Sequence, residues 1–180
     1  MQSRIKTETP IGFLKWEKIL HTGNINSEFK DTIKFTFEYL KDNKIKMFRW
    51  KLMHFILANK ELLFQWKISE NSLCSYCNEQ DNYKHFFITC AYNTNFWRSM
   101  RDIFNKLGID KHVISLHSLV IGYKIHDDAY FGLNHLLSLM FFSVYKSNYK
   151  SNNKAKKIDI VKIFKYEISS TVELYYTANM

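Results

Sequence analysis

Three cysteines and one histidine lie in one short stretch with the spacing C-x2-C-x7-H-x4-C. They are Cys74, Cys77, His85 and Cys90, and they include every cysteine of the chain. A tetrahedral Zn²⁺ site uses four such donors. The two-residue gap lets one tight turn present two thiolates, and the seven-residue gap lets the chain reverse. Because four protein donors leave no position for water, the pattern predicts one structural zinc ion rather than a catalytic one.

Other uses of these cysteines account for fewer of the four residues. A buried free cysteine is common and would explain Cys90 alone. A disulfide with one odd cysteine is typical of secreted proteins, yet residues 1–10 lack a signal-peptide pattern. A redox C-x-x-C usually lies beside a βαβ pattern, which residues 62–92 do not show, and it leaves His85 unexplained. Zinc is therefore the preferred prediction.

Composition indicates one helix-rich domain, or one domain with appendages, in a chain of 180 residues. A hydrophobic content of 46% supplies a core, and one proline with five glycines favours long helices. The net charge of +9 divides into +6 in residues 1–60, −1 in residues 61–145 and +4 in residues 146–180. Basic ends attract the phosphates of RNA or DNA, although solubility alone would explain them equally well.

Hydrophobic periodicity predicts a mainly α fold, a helical domain with one central zinc-clamped turn. The expected helices cover residues 29–40, 45–57, 61–68, 93–107, 129–146 and 158–176. Residues 111–123 fit a short helix or a strand. We expect three parts within one compact domain: a basic helical segment at 1–68, the zinc segment with its following helix at 69–108, and a helical region with a basic loop at 109–180.

Several boundaries and faces follow from individual residues. One apolar stripe is expected on the second helix, formed by Ile45, Phe48, Leu52, Phe55 and Ile56, with Arg49, Lys51 and His54 partly outside it. Asn59 is expected to close that helix. Asp127 or Asp128 is expected to cap the helix predicted at 129–146. Residues 147–157 are expected to form a polar, basic loop. The apolar run at 136–145 is too short to cross a bilayer.

Five runs carry a resemblance to a known family, and they occur in the family's order. They are Phe48-Arg-Trp-Lys-Leu-Met-His-Phe-Ile-Leu57, Leu63-Phe-Gln-Trp-Lys-Ile68, Leu73-Cys-Ser-Tyr-Cys77, His85-Phe-Phe-Ile-Thr-Cys90 and Phe96-Trp97. Over about residues 16–106 the chain resembles the zinc-binding C-terminal region of LINE-type (non-LTR) retrotransposon reverse transcriptases. The residues that match the family's metal ligands are Cys74, Cys77, His85 and Cys90. The spacing differs from the retroviral knuckle, C-x2-C-x4-H-x4-C, so that knuckle's base reading is not carried over.

The resemblance implies a module that follows a polymerase and helps it hold element RNA or target DNA, in the nucleus or the cytoplasm. It does not extend to the polymerase. Ile125-His-Asp-Asp128 is similar to the polymerase's paired aspartates, but no palm domain precedes it, so a capping role is expected. Residues 146–180 lack the acids of a related nuclease. We therefore expect a detached tail of a larger element that is not an enzyme.

Nine basic residues are the candidate phosphate contacts. They are Lys44, Lys46, Arg49, Lys51, Arg98, Arg101, Lys154, Lys156 and Lys157. Three tryptophans, Trp50, Trp66 and Trp97, fit apolar helical patterns, so core packing is expected rather than stacking on bases. His54, His117 and His135 have no acid or thiol at a matching spacing and are not expected to bind metal. The alternative is a scaffold that packs on a polymerase or another subunit, with solvated lysines.

Overall fold

The computed structural model of the chain describes residues 10–22, 26–150 and 159–177. The described residues form eight α-helices in chain order: α1 (Ile11–Leu20), α2 (Asn26–Lys34), α3 (Asn43–Met53), α4 (Lys60–Gln65), α5 (Thr94–Lys106), α6 (Leu116–Val120), α7 (Phe131–Lys150) and α8 (Ile160–Thr177). This part of the chain also contains two π-helical turns, the first π-segment at Phe35–Tyr39 and the second at His85–Thr89. Within these ranges there is no strand, only an isolated antiparallel bridge between Leu73 and Gln80. The mainly α fold is confirmed.

Side-chain caps set the beginnings of the central helices. Asp42 accepts a hydrogen bond from the Lys44 amide at 2.7 Å, so α3 begins at Asn43. Asn59 caps the start of α4, because its side chain accepts from the Leu62 amide at 2.8 Å. The prediction that Asn59 closes the preceding helix is therefore wrong. That helix already ends at Met53, which leaves Phe55 half-buried and Ile56 exposed.

Helix α1 crosses the end of α3 at close range. A Cβ atom on Gly12 would lie 2.6 Å from the backbone carbonyl carbon of His54, so only glycine fits there. One turn later, the buried Trp16 indole donates a 2.9 Å hydrogen bond to the Leu52 carbonyl. The Leu52 carbonyl lies in the last turn of α3 and accepts this bond in addition to one from the Phe55 amide at 3.0 Å. The two contacts fix α1 against α3.

The core is an aromatic cluster that joins the second π-segment to three helices. The Phe87 ring lies 6.1 Å from Phe48 of α3 and 6.2 Å from Phe141 of α7, between ring centres. Trp97 of α5 packs 5.2 Å from Phe141. Such offset and edge-to-face contacts add stabilisation beyond the apolar area that they bury. The second π-segment is thereby locked into the centre of the fold.

Helices α7 and α8 pack along each other and are joined by an ion pair. Lys146 of α7 donates to the carboxylate of Glu167 on α8, and Glu167 is buried. Helix α7 continues to Lys150, with Ser147 and Asn148 buried, so the predicted loop is wrong for its first four residues. The remainder of that loop, residues 151–157, lies outside the described residues. None of the helices in the described part of the chain combines the length and apolar character that crossing a membrane requires.

Arg49 is a structural residue of the core and not a candidate phosphate contact. Its side chain is 2% exposed, and its guanidinium donates to the carbonyls of Leu119, Val120 and Ile121 at 3.2–3.4 Å. These carbonyls end α6, where backbone acceptors lack helical partners and the helix dipole favours a cation. Burial lowers the pKa of Arg49 to about 10, which leaves it charged at neutral pH. The region at 111–123, for which the sequence allowed a short helix or a strand, contains the short helix α6.

Candidate metal centre

A tight hairpin presents the first two cysteines. The Cys74 amide donates to the Glu79 carbonyl at 2.8 Å, and the Asn78 amide donates to the Cys74 carbonyl at 3.0 Å. Asn78 adopts a left-handed backbone with φ of 60°, a conformation that asparagine tolerates better than most residues. The turn between Cys74 and Cys77 is therefore closed by backbone hydrogen bonds.

The second pair of candidate ligands is spaced by a π-helical turn. The Cys90 amide donates to the His85 carbonyl at 2.9 Å, a bond between residues five apart. Asn82 starts the segment, since its side chain accepts from the His85 amide at 2.9 Å. The four-residue gap of the H-x4-C motif corresponds to one such wide turn. π-turns are rare and occur frequently at functional sites.

Three side chains hold the second π-segment by its backbone carbonyls. The Trp97 indole donates to the Phe87 carbonyl at 2.7 Å, while Asn93 and Asn148 donate to the Phe86 carbonyl at 2.8 and 3.1 Å. Trp97 is fully buried, which confirms its prediction as a core residue. The tryptophan that follows the H-x4-C motif therefore orients the backbone that carries His85.

The four donor atoms meet at one point. The Cys74 and Cys90 sulfurs are 3.8 Å apart, the Cys77 sulfur is 3.3 Å from Nε2 of His85, and all four donors lie within 4.8 Å of one another. A tetrahedral zinc with Zn–S bonds of about 2.3 Å separates two sulfurs by about 3.8 Å. Cys74, Cys90 and His85 are buried and Cys77 is half-buried. The donor set and its spacing fit one zinc ion in a closed, structural site.

Glu79 completes the surroundings of His85. One of its carboxylate oxygens lies 3.1 Å from Nδ1 of His85, the ring nitrogen that does not face Cys77. A carboxylate at Nδ1 places the proton there and leaves Nε2 as the metal donor. Sequence reasoning missed this residue. Its signal was an acid two residues after Cys77, inside the loop that returns toward the histidine.

The thiols of Cys74 and Cys90 are paired, with their sulfurs 3.8 Å apart. The hydrogen bond from Cys90 lowers the pKa of Cys74 to about 4, and the same pairing together with burial raises the pKa of Cys90. Zinc binds cysteine as the thiolate, so a bound ion would take the place of the thiol protons. Nearby, burial raises the pKa of Asp81 to about 6, and its carboxylate accepts from the Lys60 amide at 2.9 Å. Asp81 thereby ties α4 to the metal hairpin.

The candidate phosphate contacts are dispersed over two helices. Lys44 and Lys51 are exposed on α3 and Lys46 is half-buried there, while Arg98 is exposed and Arg101 half-buried on α5. The remaining three, Lys154, Lys156 and Lys157, lie outside the described residues. The three lysines thus belong to one short helix, with Lys44 and Lys51 on one side of it and Lys46 on another, and they remain at the surface like the α5 arginines.

Two of the three tryptophans contradict the core prediction. Trp50 is 36% exposed on α3, and Trp66 is 46% exposed just after α4 ends.

Two of the histidines that were not expected to bind metal have other partners. The His54 ring lies against Trp50 with ring centres 4.4 Å apart, and His117 pairs with Glu28 at 3.5 Å. In the described part of the chain, the four ligands above are the one group of three or more histidines, cysteines and acids with a metal-binding arrangement.

The part of the chain that contains the candidate metal centre is similar to a known protein family. Residues 15–97 match a protein family described as zinc-binding in reverse transcriptase. The match runs from α1 to Trp97 and includes Cys74, Cys77, His85 and Cys90, the site of one zinc ion. No curated protein and no solved structure shows significant similarity to the chain. Residues 15–97, a little under half of the chain, are therefore similar to the zinc-binding segment found in reverse transcriptases.

Proposed function

We propose that the protein is a zinc-stabilised module that binds nucleic acid in support of a reverse transcriptase. The observation that carries the proposal is that α3, inside the family segment, turns its apolar face to the core and three lysines outward. A reverse transcriptase acts on RNA and DNA, so a module associated with it operates beside a polyanion. Lysines on a helix face attract phosphates without reading sequence.

Zinc supports this surface through the core. The second π-segment carries His85 and Cys90 and also Phe87, whose ring contacts Phe48 of α3. Tyr83 donates a 2.7 Å hydrogen bond to the Leu57 carbonyl, just beyond α3. Binding of zinc to such a site adds directly to the free energy of folding. The metal therefore holds α3 in place while the chemistry belongs to the polymerase, so the proposal assigns no catalytic activity to this chain.

Fluorescence anisotropy with labelled RNA and DNA oligonucleotides tests the proposal. We expect binding that weakens as salt rises from about 50 to 200 mM, because the lysines release counterions from the phosphates. Replacing Lys44, Lys46 and Lys51 with glutamine should weaken binding and flatten the salt dependence. The matched control replaces Lys18, Lys30 and Lys165, three lysines of other helices. An affinity that does not change with salt, or equal losses in both triple variants, would contradict the proposal.

A scaffold that packs on a polymerase remains the second candidate, because one exposed surface is apolar. Phe64, Trp66 and Ile68 are 49%, 46% and 70% exposed at and after α4. Contiguous exposed apolar residues mark sites of protein association. On this candidate function the isolated protein self-associates, and Trp66→Ser with Ile68→Ser restores the monomer. Light scattering of the two forms separates this function from nucleic-acid binding, which needs neither residue.

The proposal includes a reducing intracellular site of action, in the nucleus or the cytoplasm. The three cysteines are free in the structure, and thiolate ligands persist where disulfides do not form. Imaging of a tagged chain tests this part. Secretion with oxidised cysteines would contradict it.

A further inference from the structure

We propose that a groove between the first π-segment and α3 binds the bases of a single-stranded nucleic acid. The inference rests on the proposed function and narrows it to an unpaired strand at a defined surface. The groove has a volume of about 440 Å³ and is lined by Phe37, Asn43, Lys46, Met47 and Trp50. Phe37 comes from the first π-segment and the other four from one face of α3.

Three apolar side chains that line this groove are exposed and lie outside the buried core. Phe37 is 48% exposed, Met47 51% and Trp50 36%. Positions 43, 47 and 50 follow the helical repeat on the face of α3 opposite to the buried Ile45 and Leu52. Single exposed apolar residues are ordinary, but three that line one concavity indicate an interaction site.

The Trp50 indole is held in a defined orientation. The His54 imidazole lies one turn away with its ring centre 4.4 Å from the indole, tilted by 31°. Nδ1 of His54 lies 2.9 Å from the Trp50 carbonyl, which requires that Nδ1 donates and fixes the ring. An exposed and oriented indole is a stacking surface for any base, since every base presents a π-face.

The rim of the groove is basic. Lys46 lines the groove. Lys44 and Lys51 are two helical turns apart on the same side of α3, at roughly 90° around the helix axis from the side that lines the groove. Residues 37–51 contain four exposed or half-buried lysines and two acids, Glu38 and Asp42, of which Asp42 is buried as the cap of α3. Aromatic rings bordered by cations are complementary to bases linked by phosphates. A duplex keeps its bases stacked inside and could offer the groove only phosphates.

The test measures anisotropy of labelled strands of oligo(U), oligo(dT) and a duplex, each about 20 nucleotides long, with zinc-loaded protein. Stacking of one base contributes about 1–3 kcal/mol. Trp50→Ala should therefore lose roughly 5- to 150-fold in affinity for the single strands and little for the duplex. Phe37→Ala should lose affinity in the same direction, and Trp50→Phe should recover most of it. Trp66 lies outside the groove and is somewhat more exposed than Trp50, so Trp66→Ala is the matched control and should bind like the wild type.

Zinc content and circular dichroism confirm that each variant is folded, and Phe37→Ala serves as the second arm should Trp50→Ala unfold. Comparable losses for Trp66→Ala, or equal losses for duplex and single strands, would overturn the groove. If Trp50→Ala and Phe37→Ala bind as the wild type does while the lysine variant is weakened, nucleic-acid binding stands and this groove holds a different partner. If the wild type binds no strand at all, both the groove and the proposed function fail. A preference between oligo(U) and oligo(dT) would identify RNA or DNA as the occupant.

Discussion

The Glu79 carboxylate lies 3.1 Å from Nδ1 of His85, whose other ring nitrogen faces the sulfur of Cys77 at 3.3 Å. A zinc ligand is thus oriented by a residue of the same hairpin that supplies Cys77. Glu79 is 69% exposed, so its effect is the choice of tautomer and ring orientation rather than a buried charge.

Glu79→Gln should weaken zinc binding by roughly 10- to 100-fold, because partners of a ligating histidine typically have effects of that size. Competition with a chromophoric chelator measures the change. Glu70→Gln, in the loop before the hairpin, is the control and should leave the affinity unaltered. Equal affinities for wild type and Glu79→Gln would show that His85 needs no help in its orientation.

Removal of the metal should unfold the centre of the domain. Metal analysis should find one zinc per chain, and chelation should reduce helical circular dichroism, because the second π-segment packs against α3, α5 and α7. Cys90→Ser should behave like the chelated protein even with zinc present. A metal-free chain with unchanged helicity and thermal transition would mean that the aromatic core alone holds the fold.

Arg49→Met should destabilise the protein by about 3–5 kcal/mol. The change removes the guanidinium that donates to the buried carbonyls of Leu119 and Val120 and also to Ile121, which keeps a 2.7 Å bond from the Thr32 hydroxyl. Urea denaturation followed by circular dichroism measures the loss. Lys51→Met on the same helix is the control and should change the free energy of unfolding by less than about 0.5 kcal/mol, as surface substitutions usually do. Similar losses in the free energy of unfolding for both variants would contradict the structural role of Arg49 in the core.

Gly12→Ala and Gly132→Ala form a matched pair. A Cβ on Gly12 would contact the His54 backbone at 2.6 Å, whereas nothing lies within 4 Å of a Cβ on Gly132. We therefore expect a loss of at least about 1–3 kcal/mol for the first, from forced displacement of α1, and no loss for the second. Thermal unfolding of the two variants provides the measurement. A Gly12→Ala protein as stable as the wild type would mean that α1 does not pack this closely against the end of α3.

Local patterns predicted the metal ligands and some helix limits well. Donor type and spacing within 17 residues were enough for the zinc site, and the helix predicted at 93–107 is observed at Thr94–Lys106. Such features depend on neighbours in sequence, where periodicity and caps are informative.

Features that depend on distant partners could not be predicted in the same way. Arg49 falls on a basic helix in the sequence, and its acceptors are carbonyls 70–72 residues away. The exposure of Trp50 is a different case, because Trp50 lies opposite the predicted stripe of Ile45, Phe48 and Leu52, which is buried. Neither π-segment has a sequence signature that separates it from an α-turn, although the second one spaces His85 from Cys90.

His135 should make stability depend on pH near its own titration. Burial lowers its pKa below the ordinary 6.5, against a smaller opposing effect of Asp42. The unfolded chain therefore binds a proton that the folded state resists, so this contribution is complete above about pH 6.5 and is lost as pH falls below it. His135→Gln removes the effect. Free energies of unfolding in urea at saturating zinc, between about pH 5.5 and 7.5, should show the wild type losing stability relative to the variant as the solution is acidified, by at most about 1.4 kcal/mol per pH unit. Because the zinc ligands are common to both proteins, acid release of the metal cancels in the difference. A difference that stays constant across this range would show that His135 titrates as it does in the unfolded chain.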